Sequence, residues 1–405
     1  MDSYVARQPI FNRRKQIYGY ELLFRNTNAV YDASVDGDTA TSTVLNNSYL
    51  NIGMETLTSG KKSFINFTQN LLLKKVPLFL PNQEIVVEIL ENVQPTPELV
   101  AACREMTENG YIFALDDFVY LPELQPLIDM AQIIKFDFRL TPIAQIKTYL
   151  ERINRRDSLR LLAEKVETPE EFKRAKELGF DYFQGYFFCK PEVIKGKEIS
   201  GSQFVLLKIM AEVNKKDFKI TDLERLIAPD VSLSYKLLKY INSAFFARAQ
   251  SIASIQQALV YMGEAEIRRF VSLVAMSGLA KDKPDELVRA ACIRGKFCEL
   301  LGEFNPRIAT PSELFTLGMF SLIDAIIDQP MDKIMKDLPL DEKIKIALVQ
   351  RKGELLGYLG LVEFYEKGQW PQAIRVAAAL NLPESKLPEF YRQACEWANT
   401  FTGNG

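Results

Sequence analysis

IVVEILENVQPTPELVAACREMTENGYIFALDD (residues 85–117) contains the pattern that decides the fold of the first half of this chain. Its β-branched and aromatic runs predict strands over Ile85–Ile89 and Ile112–Leu115. Between them, Thr96-Pro97 predicts the N-cap and first turn of a helix, and Gly110 predicts its end. The stretch is therefore a strand–helix–strand unit, which predicts parallel strands covered by helices.

The same alternation repeats from the start of the chain to about Pro191. Thr168-Pro169 with Glu171 predicts a capping box, and Gly179 predicts the end of that helix. Besides the two strands above, strands are predicted over Ile17–Phe24, Ser63–Phe67, Ile133–Phe136, Leu159–Ala163 and Tyr182–Gln184, with a possible short one at Tyr4–Ala6. About eight strand–helix units predict a closed (β/α) barrel rather than an open sheet.

After Pro191 the pattern becomes helical throughout. The short polar segment Glu192–Ser202 predicts a linker, so the chain is divided into a barrel domain, residues 1–197, and an all-helical domain, residues 198–405. Helices are predicted over Val231–Ile241, Ile252–Met262, Ala265–Ser277, Asp285–Leu301 and Ser312–Ile327, with four shorter ones up to Thr402. The fold class is multidomain, α/β followed by all-α.

Composition limits the chemistry. The 405 residues carry a net charge of −2, which argues against nucleic-acid binding as the main function. No apolar run approaches the ~20 residues of a membrane helix, and five scattered cysteines are typical of reduced thiols, so a cytoplasmic protein without membrane contact is expected. The chain has no histidine, which excludes catalytic triads, imidazole zinc sites and His-Asp metal centres.

Polar side chains recur at the carboxyl ends of the predicted strands, which meet at one mouth of a parallel barrel. Carboxylate and amide oxygens suit hard cations such as Mg²⁺, Mn²⁺ or Ca²⁺. A cation would also offset the cost of burying several acids together. Any single acid at a strand end has a simpler explanation in its nearness to solvent, but a shared site explains the whole set better. The set comprises Glu21, Asn66, Glu88, Asp116, Asp117, Lys135, Glu164 and Gln184.

With these residues in place, the first half resembles the EAL domains, a family of cyclic di-GMP phosphodiesterases. The resemblance covers residues 3–191 and rests, in order, on SYVARQPIF, YGYELLFR, FINF, VVEILE, ALDDF, IIKFD, AEKVET and FQGYFFCKP. It implies a modified (β/α) barrel with one antiparallel strand, and hydrolysis of cyclic di-GMP to the linear dinucleotide with Mg²⁺ or Mn²⁺.

The resemblance also implies roles for particular residues. Metal ligands carry over to Glu21, Asn66, Glu88, Asp116 and Asp117. Catalytic positions carry over to Glu21, Lys135, Glu164 and Glu167, the last as the acid that braces the loop after the Asp pair. Substrate contacts carry over to Arg25 and Gln184.

Two departures from the family pattern affect this interpretation. Glu21-Leu22-Leu23 stands in place of Glu-Ala-Leu, and Val119 to Pro122 replace a glycine followed by a hydroxyl-rich loop. We therefore favour a degenerate domain that binds cyclic di-GMP, or a protein partner, with weak or no hydrolysis. The alternatives are an active phosphodiesterase and a scaffold that binds no nucleotide.

The second half resembles the HDOD domain, a relative of HD phosphohydrolases that lacks their metal ligands. The resemblance covers about residues 199–390 and is strongest at Pro229-Asp230, Leu237-Leu238, Asn242-Ser243 and Met262-Gly263. It implies contact with an unidentified signalling protein, and a homodimer is possible. Arg268, Arg269 and Lys296 are interpreted as a solvated face, with a partner surface as the alternative.

Overall fold

A computed structural model of the chain describes residues 3–26, 54–153, 157–189, 255–280, 283–306, 308–338 and 340–402, together with positions 206, 209, 213 and 219. The chain divides into two compact units. The barrel unit contains Met1–Lys190, Glu363–Ala377 and Pro383–Asn399, and the helical unit contains Pro191–Val362, Ala378–Leu382 and Thr400–Gly405. The predicted linker and the boundary at 197/198 lie outside the described residues.

The barrel unit is built on eight strands that close in sequence order. The first strand pairs antiparallel with both of its neighbours, the second and the eighth, and the other pairs are parallel. The predicted closed barrel with one antiparallel strand is confirmed. The strands are β1 (Ser3–Asn12), β2 (Ile17–Asn26), β3 (Lys62–Phe67), β4 (Ile85–Ile89), β5 (Ile112–Leu115), β6 (Ile133–Asp137), β7 (Arg160–Glu164) and β8 (Tyr182–Gln184).

Strand β1 is longer than the sequence predicted, ten residues instead of three. The prediction stopped early because Arg7, Gln8 and Pro9 interrupt the apolar run. Pairing on both edges, with β2 and β8, compensates for the weak local preference of these residues.

Six helices lie between the strands of the barrel unit in the described part of the chain. The two predicted N-caps are present, since Thr96 accepts from the Leu99 backbone N–H and Thr168 forms a capping box with Glu171. The glycines predicted to follow them, Gly110 and Gly179, have positive φ. The helices are α1 (Met54–Thr58), α2 (Gln69–Leu73), α3 (Pro97–Glu108), α4 (Gln125–Met130), α5 (Ile143–Arg152) and α6 (Pro169–Glu177).

The remaining described residues are largely helical, which confirms the all-α prediction for this region. The two helices predicted on either side of Gly263 form one hydrogen-bonded run that is broken there, with φ 73°. The single helix predicted over Ser312–Ile327 is wrong, since it ends at Phe320 and a new helix starts at Ile323. The helices are α7 (Ile255–Leu279), α8 (Asp285–Phe304), α9 (Pro311–Phe320), α10 (Ile323–Ile327), α11 (Met331–Asp337), α12 (Glu342–Lys345), α13 (Leu356–Glu366), α14 (Trp370–Ala379) and α15 (Leu387–Thr402).

Several predictions for the second half concern residues outside the described part of the chain. These include the helix predicted over Val231–Ile241 and the motif residues Pro229-Asp230, Leu237-Leu238 and Asn242-Ser243. Among the helices that the structure describes, none combines the length and hydropathy needed to cross a membrane.

Candidate functional site

The polar residues predicted at the strand ends form a layer at one mouth of the barrel. Inside the barrel, a layer of apolar side chains is fully buried, contributed by Ile10, Phe64, Val86, Ala114, Ile133 and Leu162. Strand side chains alternate between faces, so the residue two positions further along each parallel strand also faces inward. Those residues are Asn66, Glu88, Asp116, Lys135 and Glu164. One apolar layer therefore supports one polar layer.

Lys135 lies at the centre of this polar layer and is completely buried. Its Nζ is 2.5 Å from Glu88 Oε1, 2.7 Å from Asp116 Oδ1 and 3.0 Å from Glu164 Oε1. A fourth carboxylate, Glu21 Oε2, lies at 3.3 Å. We name Lys135 and these four acids, together with Asp117, the rim cluster. One ammonium group thus contacts four carboxylates, which is a large local excess of negative charge.

Burial and charge shift the pKa values of this cluster in opposite directions. Burial by itself would lower the pKa of Lys135, but the surrounding acids, Glu164 foremost, outweigh it and raise that pKa well above its usual range. Burial raises the pKa of Glu88 well above its ordinary value, against the attraction of Lys135, and likewise raises that of Glu164. The carboxylates are therefore poorly compensated by the protein itself, and a bound cation would relieve that imbalance.

Glu21 is positioned by amide groups from two other strands, β3 and β8. Gln184 Nε2 donates to Glu21 Oε2 at 2.7 Å and to Gln8 Oε1 at 3.0 Å. Asn66 Nδ2 lies 3.4 Å from Glu21 Oε1. The residue after Gln184 is Gly185, whose φ is +139°. A Cβ at this position would lie 2.1 Å from the Val166 carbonyl oxygen, so the backbone next to Gln184 can take this path only with glycine.

Asp117, in the loop that follows β5, has a left-handed backbone conformation with φ 39°. Three carboxylate oxygens, one each from Asp116, Asp117 and Glu164, lie within 4.8 Å of one another. Burial, and then the adjacent charge of Asp116, raise the pKa of Asp117. Strained backbone at an acidic pair is a feature that functional sites tolerate and ordinary cores avoid.

The donor set fits a hard divalent cation. Among the described residues, Glu88 Oε2, Glu164 Oε2 and Gln184 Oε1 are buried and accept no hydrogen bond. A buried carboxylate oxygen without a donor is costly, and metal coordination is the usual way in which proteins satisfy it. Carboxylate and amide oxygens without any imidazole or thiolate favour Mg²⁺, Mn²⁺ or Ca²⁺.

Glu167, one of the predicted site residues, lies outside the rim cluster. It is half exposed and forms an ion pair with Arg139 at 3.0 Å, so the structure does not bring it among the buried acids. Arg25 lies in β2 opposite Tyr4, and its side chain is outside the described part of the chain. The other predicted residues, Glu21, Asn66, Glu88, Asp116, Asp117, Lys135, Glu164 and Gln184, all meet at the barrel mouth.

The loop after Asp117 forms an apolar wall beside the rim cluster. Val119 and Leu121 are 47% and 45% exposed, and a pocket of about 200 Å³ opens between this loop and β4. The left-handed conformation in this loop falls on Asp117, and φ of Val119 is not positive. The replacement of glycine by valine therefore introduces no backbone strain at position 119.

Sequence reasoning missed Gln8, which contacts Gln184 in the polar layer. A usable signal was present. Because β1 runs antiparallel, the rim residue of that strand precedes the apolar layer instead of following it, and Gln8 comes two residues before Ile10.

Comparison with known proteins agrees with this architecture. Residues 43–191 match the EAL domain and residues 202–329 match the HDOD domain. The EAL match begins after β2, although β1 and β2 are part of the same closed barrel. The chain belongs to the family of proteins in which an EAL domain is followed by an HDOD domain.

Two relatives align along most of their length. Over 370 residues the chain is 39% identical to the "Cyclic di-GMP phosphodiesterase CdgJ" of Vibrio cholerae serotype O1, which covers 91% of this chain and 86% of CdgJ. Over 407 residues it is 37% identical to the "Uncharacterized protein YuxH" of Bacillus subtilis (strain 168), which covers 98% of each.

Among solved structures, BlrP1 of Klebsiella pneumoniae, a calcium/cy-diGMP complex, aligns with 46% of this chain and 55% of its own. The TM-score is 0.39 and the identity 19%, too low to support conclusions about function.

Proposed function

We propose that this chain is a metal-dependent cyclic di-GMP phosphodiesterase whose active site is the rim cluster. The observation that carries the proposal is the meeting of Asp116, Asp117 and Glu164 oxygens within 4.8 Å, beside buried carboxylate oxygens without donors. The name of CdgJ, which shares 39% of its aligned residues with this chain, supports the same activity.

The proposed metal ligands are Glu21, Asn66, Glu88, Asp116 and Asp117. Bound Mg²⁺ or Mn²⁺ would supply Lewis acidity for the attacked phosphate and lower the pKa of the attacking water. The chain's own residues would arrange these groups. Lys135, held by four carboxylates, is suited to contact the phosphate or the water as a fixed positive charge.

The roles of the remaining residues are also proposals. Glu164, whose pKa is raised by burial, is suited to accept a proton from the water near neutral pH. Gln184 holds Glu21 in place at 2.7 Å and reaches the mouth where substrate would enter. Arg25 is proposed as a phosphate contact. Glu167, which forms an ion pair with Arg139, is proposed to brace the loop after Asp117.

The second candidate is the one that the sequence favoured, a receptor with weak or no hydrolysis. The loop after Asp117 supports it, because Val119 and Leu121 are exposed where the family pattern has a glycine and hydroxyl side chains. Such a loop lacks serine and threonine groups that could order a second cation. The intact grouping of acids beside it is why we place phosphodiesterase activity first.

For the HDOD region, residues 202–329, we propose contact with a signalling protein whose identity is open. A homodimer and a cytoplasmic location also remain predictions. The absence of histidine from the chain leaves this region without the imidazole ligands of HD phosphohydrolases, so chemistry is assigned to the barrel alone.

The deciding experiment incubates the purified full chain with Mg²⁺ or Mn²⁺ and cyclic di-GMP and separates the products by chromatography. Turnover to the linear dinucleotide that is lost in Glu21→Gln supports the phosphodiesterase. The matched control is Glu105→Gln, an exposed acid of α3 paired with Lys75, which should retain full turnover. Micromolar binding without turnover would establish the receptor, and absence of both would leave the scaffold.

A further inference from the structure

The C-terminal end of the chain returns to the barrel unit. Its residues Glu363–Ala377 and Pro383–Asn399, which we name the C-terminal return, follow the helical unit in sequence but cluster with the barrel. The contacts fall on neighbouring elements. Asn399 Nδ2 donates to the Thr56 carbonyl oxygen of α1 at 2.9 Å, and Gly368 lies against Leu23 of β2.

The return is tightly packed where it meets β1. Tyr365 and Tyr391 have ring centroids 4.9 Å apart, and both rings are buried. Burial raises the pKa of Tyr365 well above its ordinary value, and the Val5 backbone of β1, close to that hydroxyl, opposes the shift. Burial also raises the pKa of Tyr391, and the charge of Arg7 of β1 opposes it.

The end of the β1–β2 hairpin beneath the return pairs with no third strand among the described residues. There, β2 pairs with β3 over Gly19–Glu21, and from Leu22 to Asn26 it pairs with β1. An isolated two-stranded ribbon is marginally stable in water. Glu21 is therefore the last residue of β2 that the barrel sheet holds on both sides, and the hairpin beyond it needs a further contact.

The same hairpin carries two residues of the candidate site. Gln8 and Glu21 are opposite one another in the β1–β2 register, and both accept from Gln184 Nε2. Leu23, which Gly368 contacts, is two residues after Glu21 on the same face of β2. A displacement of Leu23 would therefore move the same strand that carries the Glu21 carboxylate.

We propose that the C-terminal return positions Glu21 and Gln8 for the metal site by holding the β1–β2 hairpin. In sequence, the HDOD region, residues 202–329, lies between the two parts of the barrel unit to which the hairpin and the return belong. The proposal rests on the proposed function only in taking Glu21 as a metal ligand.

The test compares Gly368→Ala with Gly110→Ala in the full chain. Both glycines have positive φ, +65° and +84°, so alanine causes similar backbone strain at either position. A Cβ at 368 would lie 2.8 Å from Leu23 Cδ1, and a Cβ at 110 would lie 3.0 Å from Asn82 Nδ2. The two variants therefore differ mainly in whether the strain reaches β2.

Hydrogen–deuterium exchange over residues 17–26 is the first measurement. Gly368→Ala should exchange faster in this segment than the wild type. Gly110→Ala should not, although both variants should lose a comparable amount of melting temperature. Mn²⁺ affinity, measured by electron paramagnetic resonance, should fall about tenfold in Gly368→Ala, as when a supporting contact of a ligand is lost. It should stay unchanged in Gly110→Ala.

A second pair of variants keeps the test decisive if the Gly368→Ala protein fails to fold. Asn399→Ala removes the hydrogen bond to Thr56, and Asn82→Ala removes a bond of the same type to the Asn109 carbonyl oxygen at 2.7 Å. Only Asn399→Ala should increase exchange in residues 17–26. Unchanged exchange in this segment in both Gly368→Ala and Asn399→Ala overturns the proposal, whatever the metal does. Wild-type protein without turnover would instead contradict the proposed function alone.

Discussion

Two buried clusters of charged residues in this chain differ in their balance. In the barrel unit, the ammonium of Lys135 contacts four carboxylates, and buried carboxylate oxygens accept no hydrogen bond among the described residues. In the helical unit, Arg269 pairs with Glu266 at 2.6 Å and with Glu299, and Lys296 pairs with Glu299 at 2.8 Å. The helical cluster is close to neutral, whereas the rim cluster has an excess of acids.

This difference separates a site from a structural network. Paired charges with satisfied partners stabilise a unique packing and need nothing further. Acids in excess, gathered on strand ends, raise the energy of the metal-free protein and are tolerated where a ligand compensates them.

Arg269 and Lys296 are 20% and 16% exposed, so the interpretation of these residues as a solvated face is wrong. Their charges form ion pairs with Glu266 and Glu299 inside the helical unit.

The largest expected effect is on turnover. Glu88→Gln removes a fully buried carboxylate from the rim cluster, and cyclic di-GMP hydrolysis should fall at least about 1000-fold, equivalent to about 4 kcal/mol of transition-state stabilisation. The metal-free protein should melt at a higher temperature than the wild type, because folding no longer has to bury or protonate this acid. Product chromatography and thermal melting in EDTA check both effects, and a lowered melting temperature would contradict the excess of acids.

The same substitution in the helical cluster should have the opposite effect on stability. Glu299→Gln leaves Arg269 and Lys296 without their shared partner and should reduce the free energy of unfolding by about 3 kcal/mol. Metal should not change this loss, and hydrolysis should persist below the melting temperature. Denaturant titration with and without Mn²⁺ measures it, and a metal-dependent loss would show that the two clusters are coupled.

A smaller effect concerns pH. Burial raises the pKa of Glu164 from 4.5 to about 8, so the metal-free folded protein holds a proton that the unfolded chain has lost over that range. Stability of the metal-free protein should therefore fall as pH rises between about 4.5 and 8, by up to about 1.4 kcal/mol per pH unit for each such group. Denaturant titrations in EDTA across this range test it. In Glu88→Gln the slope should be shallower.

Mn²⁺ binding should release these protons, so its affinity should increase with pH over the same range. Calorimetric titrations in two buffers of different ionisation enthalpy count the protons. Equal apparent enthalpies in the two buffers would mean that the carboxylates are already ionised in the metal-free protein.

The smallest effect should be the same in both units. Thr168→Ala and Thr310→Ala each remove the N-cap of a capping box, on α6 and α9, and each should cost about 1 kcal/mol. The loss should not depend on metal, because neither threonine touches a charged cluster. Unequal losses, measured by denaturant unfolding of the full chain, would show that one of these helices has additional tertiary support.

Much of the barrel could be predicted because its signals are local. Strand runs, the caps at Thr96 and Thr168, and the glycines at 110 and 179 all act within one turn or one strand of their own position. Eight of the predicted site residues also meet as expected, since a strand-end position in a parallel barrel leads to a common mouth whatever the loops do.

Other features could not be predicted because they depend on contacts between distant residues. Gln8 belongs to the polar layer only because β1 is antiparallel, and the excess of acids became evident only when Lys135 was found among four of them. The resemblance predicts that Glu167 braces the loop after Asp117, whereas its ion pair with Arg139 became evident only in the structure. Residues around Ser321 continue a helical pattern in sequence, yet the chain breaks the helix there.

The sequence by itself determined the order of strands and helices, the carboxylate and amide groups at the strand ends and the exclusion of imidazole chemistry, because composition and short-range periodicity decide these. Only the tertiary structure decided which charges balance one another and that the C-terminal return packs on the barrel. Such pairings join residues hundreds of positions apart, as Thr56 and Asn399 are, and their free energy arises from burial and geometry that no local pattern encodes.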